Sequence, residues 1–333
     1  MPPSGLKFGI ALPAFAWEDP GHTRAPTLRS FAERAEELGF DSVWMIDRPL
    51  RGEGLYRVSW LEPLTCLAHV AACTGRVKIG TCVLVLPLRH PVLLAKELAT
   101  LDSLTEGRFI LGAGLGWHDK DYEAIGAHIR ERGKRTDEIL SALRLLLTRP
   151  GVSFEGRHYR FENVTIEPRP KRVPPIWIAG GSRMPDPKSP DKDYIPPRVL
   201  ERIAESDGVL IRSAGNHEFA KRDLRIIREY VHSAGCRVED FTFGYLQFVH
   251  VVEAPHRQAA LALQRPAFEC LMGSHRSFDH LQQCYLMGTI DDIIGRIEEL
   301  SRAGLNYLIL SPVTDDLEQL ELIAEKIIPC LSG

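Results

Sequence analysis

The chain has no CxxC pair, although seven cysteines (Cys66, Cys73, Cys82, Cys236, Cys270, Cys284 and Cys330) are scattered along it. That odd, dispersed set fits reduced thiols, most of them in the core, better than a disulfide framework or a zinc site. HExxH, G-x-S-x-G and P-loop patterns are missing too, so zinc hydrolysis, serine esterase and triphosphatase chemistry have no starting motif. Basic runs are absent. The 41 Lys and Arg are interspersed with 44 Asp and Glu, for a formal charge of −3, which leaves no footprint for nucleic acid or an anionic membrane. No segment reaches about eighteen uninterrupted apolar residues, and the opening "MPPSGLKFGIALP" has no charged leader followed by a long apolar stretch. The expectation is a soluble, cytoplasmic protein that works on a small molecule without a metal.

What is present is a repeating apolar rhythm. Strand-like runs occur at 6–12, 42–46, 77–86, 108–114, 175–180, 208–212, 241–252 and 306–311, with helical periods between them, such as Ile290, Ile293, Ile294, Ile297 and Leu300. "AEELGFDSVW" and "SRAGLNYLIL" share a helix, glycine, strand order. Asp315 and Glu318 read as a capping box opening the final helix. Strands alternating with helices imply a parallel sheet, and eight such units in 333 residues predict one domain, a (β/α)8 TIM barrel. A doubly wound sheet is the alternative. Two stretches exceed a minimal barrel: 151–170 reads as a hairpin insertion, and the proline-rich 183–198 as a surface-loop insertion that suits a lid.

The segment "ILGAGLGWHDKDYEAIG" at 110–126 looks at first like a dinucleotide loop. Gly112, Gly114 and Gly116 alternate, but Trp117 follows, so the third glycine of G-x-G-x-x-G is out of place. Bare backbone at the C-terminal end of a barrel strand would instead let a flat ring approach.

Several motifs together carry a resemblance: "AEELGFDSVWMID" at 35–47, "GTCVLVLPLRHPVLLAKELATLDSLTEGRFILGAGLGW" at 80–117, "PIWIAGGS" at 175–182 and "AGLNYLILSP" at 303–312. In that order the sequence resembles the bacterial luciferase-like superfamily of flavin- or deazaflavin-dependent oxidoreductases, over nearly the whole chain. The resemblance implies cofactor contacts from Ala11 and Leu12, and a non-prolyl cis bulge at Cys82 and Val83 supporting the ring, beside Gly114. It also implies a phosphate-binding turn at Ala179, Gly180, Gly181 and Ser182, whose freed N–H groups converge on an anion. Trp117 is expected to wall the pocket, and His118 and Lys120 are candidate donors to a ring carbonyl or phosphate. Trp17, His22 and Trp60, in the early loops, are expected substrate-pocket walls. His90 is expected to be structural.

One departure stands out. Where many relatives place a histidine after Asp or Glu, this chain has Arg48 after Asp47. A guanidinium stays charged and does not shuttle protons near neutral pH, but it clamps a carboxylate or an oxyanion. Arg48 is therefore expected to face the ring and select an anionic or carbonyl-bearing substrate, with Asp47 fixing its orientation.

The implied activity is a two-component monooxygenase: reduced FMN from a separate flavin reductase, with O2, oxidises a small organic substrate. An F420-dependent oxidoreductase moving hydride is the alternative, and would use cations such as Arg89, Lys120 and Arg183 along the cofactor's acidic tail. A flavin-binding protein without catalysis is a third. A homodimer through the helices near 62–74 and 91–104 is expected.

Overall fold

All eight apolar runs form parallel strands: β1 (Lys7–Ala11), β2 (Ser42–Met45), β3 (Lys78–Thr81), β4 (Phe109–Gly114), β5 (Ile176–Gly180), β6 (Gly208–Ile211), β7 (Thr242–Val249) and β8 (Tyr307–Pro312). The structure, a computed structural model, describes residues 5–13, 15–16, 24–50, 56, 58–182, 195–211, 216–273 and 276–331. Each strand pairs with the next, β8 returns to β1 from Lys7↔Tyr307 to Ile10↔Leu310, and β5 joins β4 from Ile176↔Leu111 to Ile178↔Ala113. The sheet therefore closes on itself. Closure makes this a (β/α)8 barrel and excludes the doubly wound alternative, which needs two free edges.

Helices α1 (Arg24–Glu37), α2 (Pro63–Ala71), α3 (Pro91–Leu104), α4 (Arg132–Leu146), α5 (Pro197–Ala204), α6 (His217–Ser233) and α7 (Ile290–Arg302) cover the barrel. The predicted stop signals act as such: Gly39 after α1 and Gly304 after α7 have φ of 82° and 111°, a conformation a side chain would oppose. Inside the cylinder Trp44, Trp177 and Tyr307 fill the axis, with ring centroids 5.1 Å apart for Trp44 and Trp177 and 4.9 Å for Trp177 and Tyr307. Gly9 makes room for them, since a Cβ there would sit 2.5 Å from the Trp44 Nε1. The barrel is thus plugged below, and open chemistry is left to its C-terminal end.

The cis bulge expected within the run at 77–86 is present: β3 ends at Thr81, a cis bond joins Cys82 to Val83, and pairing resumes at Leu84–Val85 against β4. Two other expectations need revision. The final helix starts at Glu318 without the Asp315 box; the Glu318 N–H donates to Asp316 instead, at 3.0 Å. Of the proline-rich stretch, 183–194 lies outside the described residues, while Pro197 and Arg198 already belong to α5. Residues 151–170 contain an antiparallel hairpin, Val152–Glu155 with Arg160–Val164.

Candidate active site

The alternating glycines serve the protein itself before any ligand. A Cβ on Gly112 would strike the Thr81 carbonyl oxygen and lie 2.9 Å from Leu210 Cδ1, and one on Gly114 would strike Val83 Cγ2. Bare backbone in β4 thus lets the 81–85 segment press across the strand, held by Thr81 Oγ1 donating to the Gly112 carbonyl at 2.8 Å. The three glycines, expected to open space for a ring, give room to this segment of the chain. They place Cys82 and Val83 at the mouth, packed against the inner cluster that includes Ala11. Leu12 belongs to the layer between barrel and helices, because successive residues of an extended chain face opposite ways. Burial pushes the Cys82 thiol up, which favours its protonated form.

Above this floor lies Arg48. Its guanidinium carbon is 5.1 Å from the Tyr56 ring centroid, 5.1 Å from that of Trp117 and 5.9 Å from that of Trp60, distances suited to cation–π attraction. Loops following β2 and β4 supply these rings, so Arg48 bridges the two strands that flank β3. Only 9% of Arg48 is exposed. Its Nε donates to the Leu50 carbonyl at 3.2 Å, while Nη2 is buried without a partner among the described residues. Burial pulls its pKa down, against the pull of Tyr56 and Asp121, and a guanidinium keeps its charge regardless.

Asp47 does not orient Arg48. Its carboxylate accepts from the Val85 N–H at 2.9 Å and from Arg89 Nη2 at 3.1 Å, pinning the end of the 81–85 segment. Burial raises its pKa, opposed by Arg89. Arg89 also reaches Glu62 at 3.0 Å. His90 accepts from the Val92 N–H at the start of α3, a structural cap.

At the end of β5, the Ser182 N–H donates to Asp223 Oδ2 at 2.6 Å and its hydroxyl bonds to the same carboxylate. Arg222 donates to that hydroxyl at 2.7 Å. A Cβ on Gly180 would meet Ile203 of α5 at 2.6 Å, so this glycine admits a helix, and Gly181 has φ of 135°. At the lip, His118 Nδ1 is 3.1 Å from the buried Asp121, and Lys120 is exposed. Trp17, His22 and Arg183 lie outside the described residues. Tyr56, Arg222 and Asp223 were not singled out in the sequence: none sits in a motif, and only long-range packing brings them here. Among the described residues no group of His, Cys, Asp or Glu is placed to hold a metal ion, and no helix is long and apolar enough to cross a membrane.

The family model for luciferase-like monooxygenase matches residues 6–185. The chain belongs to the luciferase-like monooxygenase family. Relatives of this luciferase-like chain divide by cofactor. It is 37% identical over 163 residues to an F420-dependent glucose-6-phosphate dehydrogenase of Kineococcus radiotolerans, a match covering 46% of each chain, and so less than half of that relative's length. It is 26% identical over 323 residues to an FMNH2-dependent dimethylsulfone monooxygenase of Pseudomonas fluorescens, covering 90% of this chain and 85% of that one. An F420-dependent secondary alcohol dehydrogenase, solved with an F420–acetone adduct, superposes with a TM-score of 0.79 at 19% identity over 99% of this chain and 100% of that one, a likeness of fold.

Does this luciferase-like mouth suit such a cofactor? At the ring end it does: Ala11, Cys82 and Val83 offer apolar support. At the phosphate end the fit is weaker. The Ser182 donors already face a carboxylate, and Arg222 supplies the one cation in contact with them among the described residues.

Proposed function

We propose that this chain is an FMNH2-dependent monooxygenase acting on a small organic substrate, with the flavin delivered by a separate reductase. One feature favours FMN over F420: Arg89, a candidate for an acidic tail, is committed to Asp47 and Glu62. A relative aligned over 90% of the chain is FMNH2-dependent, beside an F420-dependent one aligned over 72% of it.

The observation that carries the reading is the aromatic-walled mouth over the 81–85 segment, with one buried guanidinium edge left open. When bound, reduced flavin supplies the electrons for reducing oxygen. The protein's part is to bind, orient and exclude water: Ala11 and Val83 support the ring, and Arg222 with Ser182 holds the phosphate. Tyr56, Trp60 and Phe248, whose rings pack together, keep the substrate end dry. His118, steadied through Nδ1 by Asp121, is the lip residue able to carry a proton at Nε2.

Anaerobic titration with reduced FMN and with F420, followed by an oxygen pulse over a substrate panel, tests this. Tight FMN binding with oxygen-dependent product is expected. Preference for F420 with substrate oxidation in the absence of oxygen would establish the hydride-transfer alternative, and flavin binding without turnover the non-catalytic one.

A further inference from the structure

Arg48 is not the sole cation at the mouth. Arg276 Nη1 donates to the Tyr285 hydroxyl at 3.3 Å. Tyr285 packs edge-on against Phe248 at 5.3 Å, Phe248 lies 6.5 Å from Tyr56, and Tyr56 faces Arg48. The wall is continuous. Both guanidiniums bear on the Tyr56 hydroxyl, opposing the upward push of burial. The acid bearing on Arg48 is Asp121, whose carboxylate is engaged by His118, and no ion pair ties Arg276 to an acid among the described residues.

A cation 91% buried and left with an open N–H is costly unless a partner arrives, and the partner a planar fork fits best is a carboxylate. The surrounding rings exclude water and would cover an apolar or aromatic body. A neutral carbonyl would accept the open N–H but leave both positive charges uncompensated. We propose that Arg48, helped by Arg276 and the Tyr56 hydroxyl, is the specificity determinant of the mouth and selects a substrate bearing a carboxylate on an apolar body. This rests on reading the mouth as the substrate site, but its recognition step needs no turnover.

The test is equilibrium binding of benzoate, phenylacetate and hexanoate against their neutral amides, by calorimetry, with and without saturating reduced FMN. At least one carboxylate is expected to bind tenfold or more tighter than its amide. Arg48→Gln should abolish that preference, Arg276→Gln should reduce it severalfold, and Arg48→Lys should retain part of it, while FMN affinity stays within twofold in each variant. Melting curves of the variants establish that they fold; Arg48→Lys keeps the charge and so serves as the informative variant should Arg48→Gln not fold. Equal affinity for acids and amides, including no binding of either, overturns the proposal. So does a loss of FMN affinity in Arg48→Lys, which would assign the guanidinium to the cofactor. Carboxylate preference without FMN binding would refute the proposed monooxygenase and leave the anion site standing.

Discussion

Asp47 and Arg48 are neighbours in sequence and strangers in space. Consecutive residues leaving a strand point to opposite sides, so one carboxylate closes on Arg89 and the Val85 amide while the next side chain enters an aromatic cage. Adjacency suggested a pair that the backbone forbids. Trp117 keeps 58% of its surface exposed, so it covers Arg48 from one side and does not seal the site. Elsewhere His217, at the start of α6, contacts the Tyr285 carbonyl at 3.4 Å and Arg296 at 3.3 Å. Burial and then Arg296 lower its pKa to about 4. Below an unfolded value of about 6.5, the unfolded chain takes up a proton that the native state refuses, so stability falls as pH falls through that window. Denaturant unfolding is expected to show about 2 kcal/mol lost from this group between pH 7 and pH 5, and His217→Gln should remove that share of the pH slope. An identical slope in the variant would refute the assignment.

At the level of elements, the decisive contact is β4 against the turn after β3. The sequence announced three glycines but not their purpose, because close approach of two backbones leaves no periodic signal. Gly112→Ala forces a methyl group into the Thr81 carbonyl, and the obstacle is backbone that cannot rotate away. Overpacking of this kind should cost about 3 kcal/mol or more, measured by urea unfolding, and should weaken flavin binding through displacement of Cys82 and Val83. A variant of native stability would mean that the turn is held by other contacts. Strands, helix stops and the hairpin were legible because each follows from local rules of periodicity and turn chemistry. The break at 81–85 was not legible from periodicity, since its apolar residues continue the pattern of a single strand; the resemblance supplied its position.

For the whole molecule, the outer faces of α2 and α3 form a groove of about 500 Å³ that includes Leu64, Ala68 and Leu101. Leu93 and Leu104 on α3 are 66% and 58% exposed. Apolar side chains this open beside a groove suit a self-complementary contact. The expected homodimer would bury them, and sedimentation velocity should find a dimer that Leu93→Lys with Leu104→Lys converts to monomer. A monomeric unaltered protein, or a dimer indifferent to the double change, would move the interface elsewhere or remove it.

Sequence alone determined the alternating β and α units and most of their limits, because hydrophobic period and turn residues act over a few positions. It also carried the family, in motifs spread from first strand to last. Closure of the sheet, the cage around Arg48, the diversion of Asp47 to Arg89 and the carboxylate beside Ser182 were decided by tertiary structure. Most of these join parts of the chain separated by tens of residues or more, and the direction in which a side chain leaves the backbone is fixed only once strands and helices have packed.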